Sequence, residues 1–113
     1  MPNYVIIQKE VILLQIGVSS SCFYPLKTES AFKIAGELGV KTAEIFFNSQ
    51  CELHSPVLNE IIGIQNYYGI SVRSIHPYTS FAEPYMLFGK YERRTEEAID
   101  FYKNYFEAAE ALG

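Results

Sequence analysis

Apolar residues follow two spacings along the chain, one suited to strands and one to helices. Val11 to Val18 is an apolar run broken only at Gln15 and Gly17. Its length and β-branched content predict a strand buried on both faces. Thr42 to Phe47 and Ile70 to His76 are two further strand-like runs. Helical spacing appears in Ala31, Ile34, Ala35 and Leu38, then in Leu58, Ile61, Ile62 and Gln65. A third set, Ala98, Phe101, Tyr102, Tyr105, Ala109 and Leu112, marks the apolar face of a last helix starting near Arg93 or Thr95. Thr28 is placed to cap the first helix, with Glu29 in its first turn. Ser55-Pro56 opens the second. Gly39, Gly69 and Gly113 stand where left-handed helix ends are expected.

Strand starts near Ile12, Thr42 and Ile70 lie roughly 30 residues apart, the size of a βα unit. Right-handed crossovers between such units imply a parallel sheet covered by helices. The expected fold class is therefore α/β, built from parallel βα units over residues 12–113, with residues 1–11 as an N-terminal extension. One long connection follows the third strand. Within it, Glu83-Pro84 through Phe88-Gly89 suits a short helical turn. Connections of this length often carry function.

Strand side chains alternate between two faces. Leu13, Gln15, Gly17 and Ser19 share one face of the first strand, Glu44, Phe46 and Asn48 one of the second, and Val72, Ser74 and His76 one of the third. The opposite faces read Leu14-Ile16-Val18, Ala43-Ile45-Phe47 and Arg73-Ile75. Apart from Arg73, these are apolar and suit packing against helices. The polar set, Gln15, Ser19, Glu44, Asn48, Ser74 and His76, needs polar partners, water or metal. Burying Glu44 as a charge without a partner would cost roughly several kcal/mol.

The bulk properties narrow this picture. At 113 residues the chain is one domain, shorter than the about 250 residues of a closed α/β barrel. Hydrophobic residues make up 49% and charged residues 19%, which excludes a disordered chain. A net charge of −4 weighs against a broad surface for duplex nucleic acid. Cys22 and Cys51 are too few for a disulfide framework and too far apart for a local zinc-ligand pair, so they read as free cytosolic thiols. No run approaches the about 20 apolar residues of a membrane span. Tyr4-Val5-Ile6-Ile7 precedes Lys9 and Glu10, the wrong order for a signal peptide. The expectation is a soluble cytoplasmic protein.

His76 is the leading candidate for chemistry. It ends the third strand, and Pro77 after it cannot donate to a ladder. Strand ends of this kind hold the sites of α/β proteins. A hydrogen-bonded structural histidine is the competing reading. Glu44 is either a site residue or a structural carboxylate bonded to a neighbouring strand. His54 belongs to a polar loop and is expected to be exposed. Glu52 and Glu83 lie in candidate rim loops, where solvated charge is the default and contact with a ligand the alternative. Arg93 and Arg94 begin a helix and are placed to meet a phosphate, but Glu92, Glu96 and Glu97 around them favour a surface salt-bridged helix start.

Several segments, in order, resemble a known family. They are Ile16-Gly17-Val18-Ser19-Ser20-Ser21-Cys22-Phe23, Glu37-Leu38-Gly39-Val40 with Ala43-Glu44-Ile45-Phe46, Ser74-Ile75-His76-Pro77, and Glu107-Ala108-Ala109-Glu110-Ala111-Leu112-Gly113. Together they resemble the opening third of sugar phosphate isomerases/epimerases, in the xylose-isomerase-like TIM-barrel superfamily that also contains endonuclease IV. The resemblance implies the first three βα units of a (β/α)₈ barrel, here incomplete. It implies a divalent metal cation in the full-length parent, not bound tightly by this fragment, with His76 as one ligand, and a sugar or sugar phosphate touched by Glu44, Asn48 and Tyr78. Tyr78, Phe81, Tyr85, Phe88 and Tyr91, spaced by three or four, then form either a lid over the sugar ring or the packing of the loop onto the barrel top.

In that family most metal ligands and the usual acid/base pair lie on the fourth and later strands. The catalytic residues are therefore not identified in this chain, which is expected to be an N-terminal part, inactive alone. The activity implied for the whole is metal-assisted proton transfer next to a carbonyl. The alternatives are a metal-dependent endonuclease acting at abasic DNA and a non-catalytic truncated product. Open sheet edges in a three-stranded piece also predict self-association.

Overall fold

The computed structural model describes residues 14–113. Its elements are β1 (Val18–Ser19), α1 (Thr28–Glu37), β2 (Thr42–Phe47), α2 (Val57–Tyr68), β3 (Ser71–Pro77), α3 (Glu83–Leu87) and α4 (Glu92–Leu112). Single 3₁₀ turns follow each strand, at Ser20–Phe23, Gln50–Leu53 and Ser80–Ala82. The strands form one parallel sheet in the order β1-β2-β3. The α/β class and the successive βα units are as expected from the hydrophobic spacing.

The alternation of β2 divides the sheet into two faces. Ala43, Ile45 and Phe47 are buried against Phe32 of α1, Leu58 and Ile61 of α2, and Tyr102, Tyr105 and Leu112 of α4. Ile45 and Phe47 are fully buried, each stabilising the fold by about 1.5–3 kcal/mol. Thr42, Glu44 and Phe46 point the other way and stay half-buried. No helix covers that face among the described residues.

The first strand is shorter than expected. Of the run Val11–Val18, the part before Leu14 lies outside the described residues. Leu14 to Gly17 is exposed and forms no strand. Register explains this: Val18 pairs with Ala43, and β2 begins one residue earlier, at Thr42. Leu14 and Ile16 therefore extend past the start of β2 with no strand alongside. At Gly17 the two chains run so close that a Cβ would lie 2.8 Å from the Thr42 carbonyl oxygen.

The third strand breaks strict alternation. Ala43 pairs with Val72, but Glu44 pairs with Ser74, so Arg73 is an extra residue in a β-bulge. The bulge turns Val72 to the helix side, where it packs against the core, and leaves Arg73 exposed. This corrects the grouping of Val72 with Ser74 and His76. It also removes the anomaly of an arginine on the apolar face.

Helix ends follow local chemistry with two corrections. Gly39 is left-handed (φ +83°); its N–H donates to Gly36 O and that of Val40 to Ala35 O, both at 3.0 Å. Gly69 closes α2 with φ +64°. Thr28 does not cap α1: Lys27 holds the cap position, and the fully buried Thr28 hydroxyl bonds elsewhere. Ser55 does not cap α2 either; Pro56 precedes its first residue without a side-chain cap bond. On α4 the buried stripe uses Ala108, with Ala109 only half-buried.

Candidate functional site on the open face of the sheet

Strand pairing brings Glu44, Phe46, Ser74 and His76 together on the uncovered face. Ser74 Oγ donates to Glu44 Oε2 at 2.7 Å, which fixes the carboxylate. Its other oxygen, Oε1, lies 3.8 Å from His76 Nδ1. The far ring nitrogen, Nε2, is 2.9 Å from the hydroxyl of Ser80 in the 3₁₀ turn after β3. Phe46 contacts the imidazole edge-on, with centroids 4.7 Å apart. The ring is thus held by three neighbours. Side-chain exposures of 43% for His76 and 35% for Glu44 leave both within reach of a ligand.

This geometry poses a proton question. If Nε2–H donates to Ser80, the lone pair of Nδ1 faces a carboxylate oxygen, and two acceptors confront each other across 3.8 Å. A cation between them, or a proton on Nδ1, relieves that repulsion. An imidazole nitrogen and a carboxylate oxygen suit a divalent transition metal. Two donors are fewer than the three protein ligands of a catalytic zinc site. No group of three or more His, Cys, Asp or Glu gathers among the described residues. A cleft of about 270 Å³ beside Glu44, lined also by Gly17, Ser19, Thr42, Arg73 and Ser74, does not include His76.

Asn48 and Tyr78 sit apart from this pair. Asn48 Nδ2 donates to Thr28 Oγ1 at 2.9 Å and to Phe46 O at 3.4 Å. No hydrogen bond joins either residue to Glu44 or His76 among the described residues. Tyr78 is half-buried and electrostatically neighbours Tyr105, on the helix side. Burial pushes the Tyr105 hydroxyl up to about 12, against smaller downward pulls from the Thr79 side chain and Tyr78 backbone. That hydroxyl has no partner in hydrogen-bonding geometry among the described residues. Burial also raises Tyr102, whose hydroxyl lies 3.0 Å from Thr79 Oγ1 and donates to Glu83 Oε1, also at 3.0 Å.

Glu52 overturns the expectation of a solvated loop charge. It is 7% exposed, and its Oε2 accepts from Thr28 Oγ1 at 2.9 Å and from Asn48 N at 2.7 Å. The carboxylate ties the loop after β2 to the start of α1. Buried Ser20 adds a second tie, its Oγ accepting from Phe46 N at 2.8 Å. Glu83 is engaged by Tyr102 rather than free at the rim. His54 is exposed, as expected, and both cysteines are free and exposed.

Arg94 makes no ion pair among the described residues. Its guanidinium stacks 4.0 Å from the Tyr85 ring centroid and 5.5 Å from that of Tyr91. Phe81, Tyr85, Phe88 and Tyr91 remain well exposed. Met86 and Leu87 instead pack the long connection onto the core. An apolar groove of about 370 Å³ lies there, between β3 and α4, on the side away from the Glu44–His76 pair.

Sequence reasoning singled out Glu44, Ser74 and His76 but missed Ser80 and the buried role of Glu52. A hydroxyl four residues beyond a strand-end histidine is a usable signal for Ser80. Nothing in the local pattern marks Glu52, because its partners come from α1 and β2. No protein-family model matches the chain, nor does any curated protein or solved structure.

Proposed function

We propose that the chain supplies the first three βα units of a (β/α)₈ sugar or sugar phosphate isomerase/epimerase. The reaction is proton transfer next to a carbonyl, assisted by a divalent cation. The observation that carries this reading is the Glu44–His76 pair, fixed by Ser74 and Ser80 on the helix-free face of a parallel sheet. When bound, the metal polarises the carbonyl oxygen of the substrate. Glu44 Oε1 and His76 Nδ1 would hold it. Ser80 orients the imidazole from its far nitrogen, the support that metal-bound histidines usually have.

Asn48, bonded to Thr28 and Phe46 O, and Tyr78, which begins the connection after β3, would reach the sugar only at the margin of the site. On this reading the whole barrel's other strands would complete the ligand set and bring the acid/base residues, and these three βα units alone are expected to have no isomerase activity. Two exposed thiols fit a cytoplasmic setting. A second proposal, self-association, follows from the edges of β1 and β3, unpaired among the described residues, and from exposed Leu14, Ile16, Ile99 and Phe106. Sedimentation velocity should show concentration-dependent assembly; a monomer at all concentrations would remove this second proposal.

The test of function is ligand mapping by backbone NMR in the presence of Mn²⁺ or Zn²⁺. A panel of keto- and aldo-sugars and their phosphates should shift resonances at Glu44, His76 and Tyr78. Shifts confined to other surfaces would refute the proposal. Shifts produced only by abasic-site DNA would move the assignment to the endonuclease alternative.

A further inference from the structure

Ser80 is 2.9 Å from His76 Nε2, within the reach expected between a nucleophile and its general base. His76 Nδ1 lies 3.8 Å from Glu44 Oε1, so the three groups are aligned as hydroxyl, imidazole and carboxylate. With no cation in the gap, the carboxylate favours the tautomer that carries its proton on Nδ1. Nε2 then presents its lone pair to the Ser80 hydroxyl. Ser74 holds the carboxylate and Phe46 holds the ring, so little reorganisation is needed. We infer that Ser80 is a nucleophile activated by His76 and Glu44, giving the open face an acyl-transfer activity toward small activated esters.

The step balances without a co-reactant other than water. Ser80 Oγ bonds to the ester carbonyl carbon as its proton passes to Nε2. The carbon–oxygen bond to the leaving group breaks, and the aryl oxide departs with the electron pair. The imidazolium returns its proton to that oxide or to solvent. Water then attacks the acyl-serine, with Nε2 taking its proton, and the imidazolium returns that proton to Ser80 Oγ as the acyl–oxygen bond breaks, which releases the carboxylic acid and free Ser80. The His76 side chain is 43% exposed, and this open setting favours short acyl groups on good leaving groups.

This activity does not require the isomerase proposal, but both use the same imidazole. A cation between Nδ1 and Glu44 takes the Nδ1 lone pair and forces the proton onto Nε2, which disables the base. The test is acetylation by p-nitrophenyl acetate, followed by nitrophenolate release and by mass spectrometry of peptides. The expected result is an acetyl group on Ser80. Ser80→Ala should abolish that adduct, and His76→Ala should slow its formation by about a hundredfold or more. Urea unfolding of both variants checks that the fold is retained. Acetylation at other residues alone, or release rates unchanged in Ser80→Ala or His76→Ala, would overturn the inference. Adding Zn²⁺ separates the two proposals. Slowing of Ser80 acetylation supports both, whereas acetylation indifferent to Zn²⁺ still supports the nucleophile and counts against the metal site.

Discussion

The two faces of the sheet are made from alternate residues of the same strands, yet they hold their side chains by different means. On the helix side, Ala43, Ile45 and Phe47 are locked by contact with α1, α2 and α4. On the open side, Glu44 and His76 are held by single hydrogen bonds from Ser74 and Ser80. The first arrangement is close-packed and intolerant of lost volume. The second is polar, half-exposed and free to accept a ligand. The β-bulge at Arg73 lets one strand serve both, turning Val72 into the core while Ser74 and His76 face outward. Stability and chemistry are thus separated by one pleat.

Substitutions should obey that division, and the largest contrast comes from neighbours in one strand. Phe47→Ala should cost about 3–5 kcal/mol in urea unfolding, because Phe47 is fully buried. Phe46→Ala, on the open face, should cost about 1 kcal/mol. Equal losses would mean that the open face is covered as well. Glu52→Ala should come next, at about 1–3 kcal/mol, since it removes the acceptor of the Asn48 N–H and leaves the buried Thr28 O–H only its longer donor bond to Phe46 O, at 3.4 Å. Glu44→Ala should change stability by less than about 1 kcal/mol, its partners being solvated. A reversed order would make Glu44 the structural carboxylate.

The smallest effect is at Tyr105. Tyr105→Phe removes a buried hydroxyl that has no partner among the described residues, so it should be neutral or stabilise by about 1 kcal/mol. Its pH signature has a definite sign. The folded hydroxyl titrates near 12 against about 10 in the unfolded chain. Between those values only the unfolded chain loses the proton, so stability is fully present below about 10 and falls as pH rises toward 12. Tyr105→Phe should flatten that fall. A decline equally steep in both proteins would place the alkaline sensitivity elsewhere.

Much of the helix-side face was legible because it rests on periodicity. Ile45, Phe47, Ile61 and Tyr105 repeat at strand or helix spacing, and burial follows from spacing. Glu44 and His76 could be placed on one face because β2 and β3 pair in register at their ends. Val72 could not, since a bulge depends on pairing with a second strand. Thr28 looked like a cap by position, but a carboxylate distant in sequence, Glu52, claims its hydroxyl. Arg94 looked like an ion-pair partner by its acidic neighbours, yet aromatic rings from α3 and the loop before α4 take its guanidinium. Local pattern predicts what a residue can bond; the fold decides which partner arrives.

The most direct test of the Glu44–His76 site is the imidazole itself. Long-range ¹H–¹⁵N spectra of ¹⁵N-histidine protein, titrated with Zn²⁺, report each ring nitrogen of His76 and His54 separately. The account predicts that His76 Nδ1 shifts on metal addition as it loses its proton to the cation, and that the proton appears on Nε2, toward Ser80. It predicts that exposed His54 responds less, and that Glu44→Ala removes the His76 response. A His76 ring indifferent to Zn²⁺, or one that responds equally without Glu44, would contradict it.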